Sequence, residues 1–216
     1  MFDYNLESGE IWLFETIGPE WAGMVGEQSV LTALQEMGGR DVTLRINSPG
    51  GDVIPANAIY NALERYSGRV TASIESLAAS AASYIMLAAD KVVAAENAMI
   101  MIHSPWSVAM GNASDLRASA DVLDKFEDGL IGMYEKKTRK PRNEIKQALD
   151  AETWLTASEA FDWGLIDAVE SYTAEPLPVP EGMYNHTPSA LLKKTAPGSL
   201  TAYNRERAKI RIAAKS

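Results

Sequence analysis

The run SLAASAASY, residues 76–84, constrains the fold more than any other stretch of the chain. Seven of its nine positions are Ala or Ser, in a chain that is 46% hydrophobic and elsewhere well supplied with large apolar residues. Side chains this small let one backbone element lie tight against another, as a close-packed interior requires. The segment therefore belongs at the centre, and it reads as a helix from Leu77 to about Ala89 packed on a sheet. A Ser near the start of such a helix can also be a nucleophile, so the flanking sequence has to separate packing from chemistry.

On both sides, strands alternate with helices. EIWLFETIG (10–18) has the aromatic and β-branched content of a strand, and Trp21 to Met37 reads as a helix closed by Gly38-Gly39. DVTLRIN alternates as a strand and runs into the turn SPGGD, followed by a helix through ANAIYNALERY. RVTASIE, KVVAA and AMIMIH are further short strands. A long helix spans about Asn112 to Lys137, and Pro141 suits the first turn of the next. TASE (156–159) is a capping box, and Gly164 is a helix stop. Such alternation implies an α/β domain with crossover connections. From Thr173 the texture changes, because TAEPLPVPEG is Pro-rich and reads as a linker. The chain thus divides into a body, 1–172, and a linker with a basic tail, 173–216.

Composition removes several classes of function. The absence of cysteine excludes disulfides, thiol nucleophiles and Cys-based zinc sites. No phosphate-binding loop, HExxH or calcium loop occurs, so neither a metal nor a cofactor is expected. Net charge is −9, yet the stretch from Thr187 onward holds seven of the 20 basic residues and one of the 29 acidic ones. The acidic body argues against a nucleic-acid surface there, and the basic tail is too short to decide the function by itself. The longest nearly apolar run, Leu77 to Ala89, falls short of the roughly 20 residues that span a bilayer, and the acidic N-terminus lacks the pattern of a signal peptide. A cytoplasmic protein without membrane partners is expected.

Two histidines exist, and His186 lies in the linker, which leaves His103 as the imidazole base of the body. Taken singly, His103 reads as a half-buried structural histidine, and Ser80 as a helix serine bonding a carbonyl one turn back. Together with RINSPGGDV they read differently. A diglycine turn after a strand can aim backbone N–H groups into a cleft as an oxyanion hole. SLAASAAS supplies a Ser near a helix start, His103 ends a strand where α/β folds expose catalytic groups, and Glu152 or Asp150 can orient the imidazole.

At INSPGGDV, LAASAAS, MIMIHSPW and ETWLTASEAFDWGLID, in that order over roughly Glu10 to Val169, the chain resembles the Clp protease proteolytic subunit family. Within it the chain looks closest to the phage capsid (prohead) maturation proteases. The resemblance implies a Clp/crotonase-type fold of stacked β-β-α units, with a protruding long helix that builds homo-oligomeric rings or stacked rings. It implies a serine endopeptidase acting on polypeptides, with Ser80 as nucleophile, His103 as general base, and Gly51 and Ala81 as oxyanion donors. Ser76 is then a helix cap and Ser83 a packing residue. The family's third member is Asp, and Glu152 stands at that position here, with Asp150 as the alternative acid.

The stretch before the first strand leaves little room for the axial loop with which a Clp subunit engages its ATPase. The expectation is therefore an ATP-independent enzyme, processing capsid or scaffold proteins in a host cytoplasm or procapsid. The alternatives are a housekeeping subunit paired with an AAA+ unfoldase, a crotonase-like acyl-CoA enzyme, and a non-enzymatic assembly scaffold. The basic tail is expected to be a detachable docking element that stays clear of the active site.

Overall fold

The computed structural model describes residues 2–172, 179–180 and 182–193. A hairpin of β1 (Phe2–Asn5) and β2 (Glu10–Leu13) opens the chain and is followed by α1 (Glu27–Met37), β3 (Val42–Ser48) and α2 (Val53–Glu64). Next come β4 (Val70–Ala79), the five-residue α3 (Ala81–Ile85), β5 (Lys91–Ala95) and β6 (Met99–Ile102). The 26-residue α4 (Ala113–Thr138) leads to α5 (Arg142–Asp150), β7 (Thr153–Thr156), α6 (Ala157–Trp163) and β8 (Ala168–Glu170). Two short strands, β9 (Val179–Pro180) and β10 (Leu192–Lys193), pair in parallel beyond them.

The main sheet runs in the order β1-β2-β3-β4-β5-β8, parallel from β2 onward, as crossovers through helices dictate. At β4 the sheet forks. Between Ile46 and Ser48 of β3, β4 advances from Ile74 to Ala78, a register shift that bends it. Its first half pairs with β5, while Leu77, Ala78 and Ala79 pair with Met99, Ile100 and Met101 of β6. β7 completes this branch, antiparallel to β6.

The small-residue run is thus strand before it is helix. The expected helix from Leu77 starts only at Ala81, because β6 recruits residues 77–79 into its ladder. Ser76 is buried within β4 and caps nothing, which corrects its expected role. Alternation along the branch gives it two apolar faces. Ala78, Ile100, Ile102 and Leu155 face the main core. Leu77, Ala79 and Met101, with Met99 and Trp154, face a second cluster that Val179, Tyr184 and Leu191 complete. Part of the expected linker therefore covers one side of the sheet.

The first half of α4 stands away from the body, held at its start by a capping box in which Asn112 Oδ1 accepts from the N–H groups of Ser114 and Asp115. Of its apolar residues, Leu130, Ile131 and Tyr134 are buried, whereas Leu116 remains 45% exposed. Thr156 and Glu159 form the expected capping box of α6, and Gly164 ends that helix with φ 81°. Among the described residues no helix is long and apolar enough to cross a membrane.

Candidate active site

Ser80 occupies the joint between β4 and α3 at φ 53° and ψ −121°, a region that non-glycine residues rarely enter. Bonds on both sides hold it there. Its N–H donates to the Met101 carbonyl at 2.9 Å, prolonging the β4–β6 ladder. Its own carbonyl accepts from the Ser83 N–H at 2.9 Å and from Ser83 Oγ at 2.6 Å. Ser83 also lies 2.6 Å from the Tyr134 hydroxyl, so it does more than pack. Burial pushes the Tyr134 phenol well above its ordinary pKa, which keeps it a neutral hydrogen-bonding group.

The strained joint turns Ser80 Oγ outward to a point 2.7 Å from His103 Nε2, just past the end of β6. For Nε2 to accept the hydroxyl proton, the ring proton must sit on Nδ1. Ser80 and His103 are brought together as their sequence motifs imply.

The diglycine turn abuts this joint. A Cβ on Gly50, which has φ 84°, would lie 2.4 Å from the Ala79 carbonyl oxygen and 2.8 Å from the Ala81 nitrogen. One on Gly51, at φ 151°, would lie 1.9 Å from the Ile17 carbonyl oxygen. Ile17 staples the turn from both ends, donating to the Gly50 carbonyl at 2.8 Å and accepting from the Asp52 N–H at 2.9 Å. The Gly50 N–H is engaged by Ser48 Oγ at 3.1 Å. That arrangement sets Gly51 and Ala81, the expected oxyanion donors, on the two segments that meet at Ser80.

The two candidate acids separate clearly. Ile102 pairs with Thr153 across β6 and β7, and Glu152 and His103 are the next residues along the two strands where that pairing ends. Glu152 is 8% exposed and takes φ 52°. Asp150 instead ends α5, where it accepts from Ser104 Oγ at 3.0 Å and Lys146 Nζ at 3.1 Å. Its stretch is helical, so the extended geometry that would aim it alongside Glu152 does not occur.

Sequence reasoning misses the partners of Glu152. Its Oε2 accepts from the Asn185 N–H at 2.9 Å and its Oε1 from the His186 N–H at 2.6 Å. Tyr184, just before them, sets its ring edge-on to His103 at 5.3 Å and donates its hydroxyl to the Pro49 carbonyl. The expectation that the tail stays clear of the site therefore fails for residues 184–186; nothing in a Pro-rich stretch except its one aromatic side chain hints at this. The basic end from 194 onward lies outside the described residues.

A groove of about 530 Å³ is lined by residues 52–55, which follow the diglycine turn, by residues 105–107, which follow His103, and by Val122, Leu123 and Phe126 of α4. Its lining is mainly apolar.

Comparison with known proteins is consistent with this geometry. A family model described as Clp protease matches residues 2–173. The "ATP-dependent Clp protease proteolytic subunit 1" of Protochlamydia amoebophila (strain UWE25) is 38% identical over 135 residues, 61% of this chain and 66% of that protein. The protein of the same name from Chlamydia pneumoniae is 35% identical over 135 residues, 61% of this chain and 71% of its own length. That of Leifsonia xyli subsp. xyli (strain CTCB07) is 29% identical over 171 residues, 78% of this chain and 86% of its own length. The chain thus spans about two thirds or more of the relatives it matches.

Proposed function

The chain belongs to the Clp protease family of serine-type endopeptidases, and from that premise we propose that it is a proteolytic subunit that cleaves polypeptides through an acyl-enzyme on Ser80. The observation that carries the reading is the 2.7 Å contact between Ser80 Oγ and His103 Nε2, made by a serine held out from its backbone at a strained strand–helix joint. His103 takes the hydroxyl proton as Oγ attacks the scissile carbonyl. Gly51 and Ala81 N–H groups receive the oxyanion, where one donor typically contributes about 3 kcal/mol. His103 then protonates the leaving amine, and water hydrolyses the ester by the same route in reverse. Glu152 holds the Nδ1 tautomer and stabilises the imidazolium. The apolar groove favours an apolar side chain beside the scissile bond.

The exposed half of α4 supports assembly into a homo-oligomer, since Leu116 and Val122 are solvent-facing in a single chain. The relatives' names support work with an ATP-dependent unfoldase better than the stand-alone capsid-processing role that the sequence resemblance favours. They give no support to an acyl-CoA enzyme of the crotonase type.

The test is cleavage of a short fluorogenic peptide and of a folded protein, each with and without an AAA+ unfoldase, alongside fluorophosphonate labelling. Peptide turnover without ATP, folded-protein turnover only with the unfoldase, and loss of both in Ser80→Ala are expected. Label on a serine other than Ser80 would overturn the assignment. Processing of capsid precursors without any ATPase would restore the stand-alone role.

A further inference from the structure

The family match ends at residue 173, yet residues 182–193 make the hydrogen bonds that hold the Glu152 carboxylate. We propose that this C-terminal segment is the seat of the acid, with Tyr184 as a positioning residue for His103. The inference rests on the catalytic reading of Ser80, His103 and Glu152.

Glu has one more rotatable bond than Asp, so a glutamate in this place needs more to fix it. Two consecutive backbone N–H groups, one to each oxygen, confine it to one orientation. Backbone donors do this without bringing a positive charge that would compete with the imidazolium. Trp154 Nε1 adds a longer contact at 3.5 Å to Oε1.

Tyr184 joins the two halves of the machinery. It is 6% exposed, with its ring against His103 on one side and Trp154 on the other, at centroid distances of 5.3 and 6.0 Å. Its hydroxyl bonds Pro49, the residue before the diglycine turn. Imidazole, carboxylate and oxyanion turn are therefore all touched by residues 184–186. Val179 and Leu191 anchor the segment on Leu77 and Met101, so the seat is packed on the sheet.

A segment lying on an active site can also block it. Here the groove lined from residues 52–55, 105–107 and α4 takes none of residues 182–193 into its lining. The segment bonds the acid and lies clear of that groove.

Peptide cleavage by full-length His186→Pro, Tyr184→Ala and Tyr184→Phe separates these readings, with the Pro variant also made in a Glu152→Gln background. His186→Pro removes the shortest N–H contact to Glu152. It is expected to lower kcat about tenfold with KM within twofold, and to have less than a twofold effect once Glu152 is Gln, because coupled residues are not additive. Tyr184→Ala is expected to lower kcat by a similar factor, with Tyr184→Phe recovering most of it through the retained ring. Faster cleavage in any of these variants would make the segment a strap and overturn the proposal. Equal losses from His186→Pro in both backgrounds would make it a structural prop only. Full activity in both His186→Pro and Tyr184→Ala, with Ser80→Ala inactive, overturns the seat alone. Cleavage that survives Ser80→Ala overturns the catalytic reading and the seat with it.

Discussion

Ser83 Oγ and the Tyr134 hydroxyl lie 2.6 Å apart in the buried core, and the same Ser83 oxygen donates to the carbonyl of Ser80. The backbone of Ser80 is thereby tied to α4, the helix whose other end stands free of the body. The two ends of this tie are unequal. Ser83→Ala leaves the fully buried Tyr134 hydroxyl without its partner, a cost of about 1–3 kcal/mol. Tyr134→Phe leaves Ser83 its bond to Ser80 and is expected to cost less. Thermal melts of both variants check the order, and equal losses would show that the tie does not bear on the strained joint.

Replacing Ser80 exposes the strain at the joint. Ser80→Ala and Ser80→Gly are both expected to lose at least about 10⁴-fold in peptide cleavage. They differ in stability, because glycine alone enters φ 53°, ψ −121° without penalty. Ser80→Gly is expected to be the more stable by about 1 kcal/mol. A melt in which the Ala variant is the more stable would show the joint to be relaxed.

Glycine substitutions should divide by place. Gly51→Ala meets the Ile17 backbone and is expected to unfold the turn, while Gly50→Ala pushes the turn from Ser80 and costs about 10²-fold in kcat. Gly129→Ala, in α4 with nothing within 4 Å of the added carbon, is expected to stabilise by up to about 1 kcal/mol. Denaturation midpoints and kcat for the three variants decide this.

For the acid, Glu152→Gln is expected to lower kcat by about 10²-fold or more, and Asp150→Asn by less than twofold. Asp150 is half exposed and its carboxylate bonds Ser104 and Lys146, where a neutral amide loses little. A larger loss at Asp150 reverses the choice of acid.

Charges introduced at Leu116 and Val122 test assembly. Leu116→Glu with Val122→Glu is expected to shift the protein to smaller species in light scattering without lowering the melting temperature of the single chain, since both side chains are exposed. An unchanged particle mass would remove α4 from the interface.

The parts legible in the sequence are those with local causes. SPGG is readable because only glycine fits where a neighbouring backbone comes within contact distance, and TASE because a capping box is complete within four residues. Ser80 and His103 are readable because each sits in a motif at the end of an element. What fails has a distant cause. Leu77 to Ala79 carry no period of their own, and a strand some 20 residues later makes them a strand. Tyr184 stands in a Pro-rich stretch with no pattern, and its place is set by the apolar face of β4 and β6 that remains to be covered. Glu152 is legible as a position, while the N–H groups that hold it carry no side-chain signature at all.

The order of the chain gives the C-terminal seat a consequence during synthesis. His103, the later of the Ser80–His103 pair, leaves the ribosome some 80 residues before Tyr184. At about 5–20 residues per second, that is an interval of about 4–16 s. Through that interval the nascent body can form the Ser80–His103 contact while the Glu152 carboxylate lacks the two N–H groups that hold it. The proposed catalytic set is therefore completed only after residues 184–186 have been made, well after the Ser80–His103 pair.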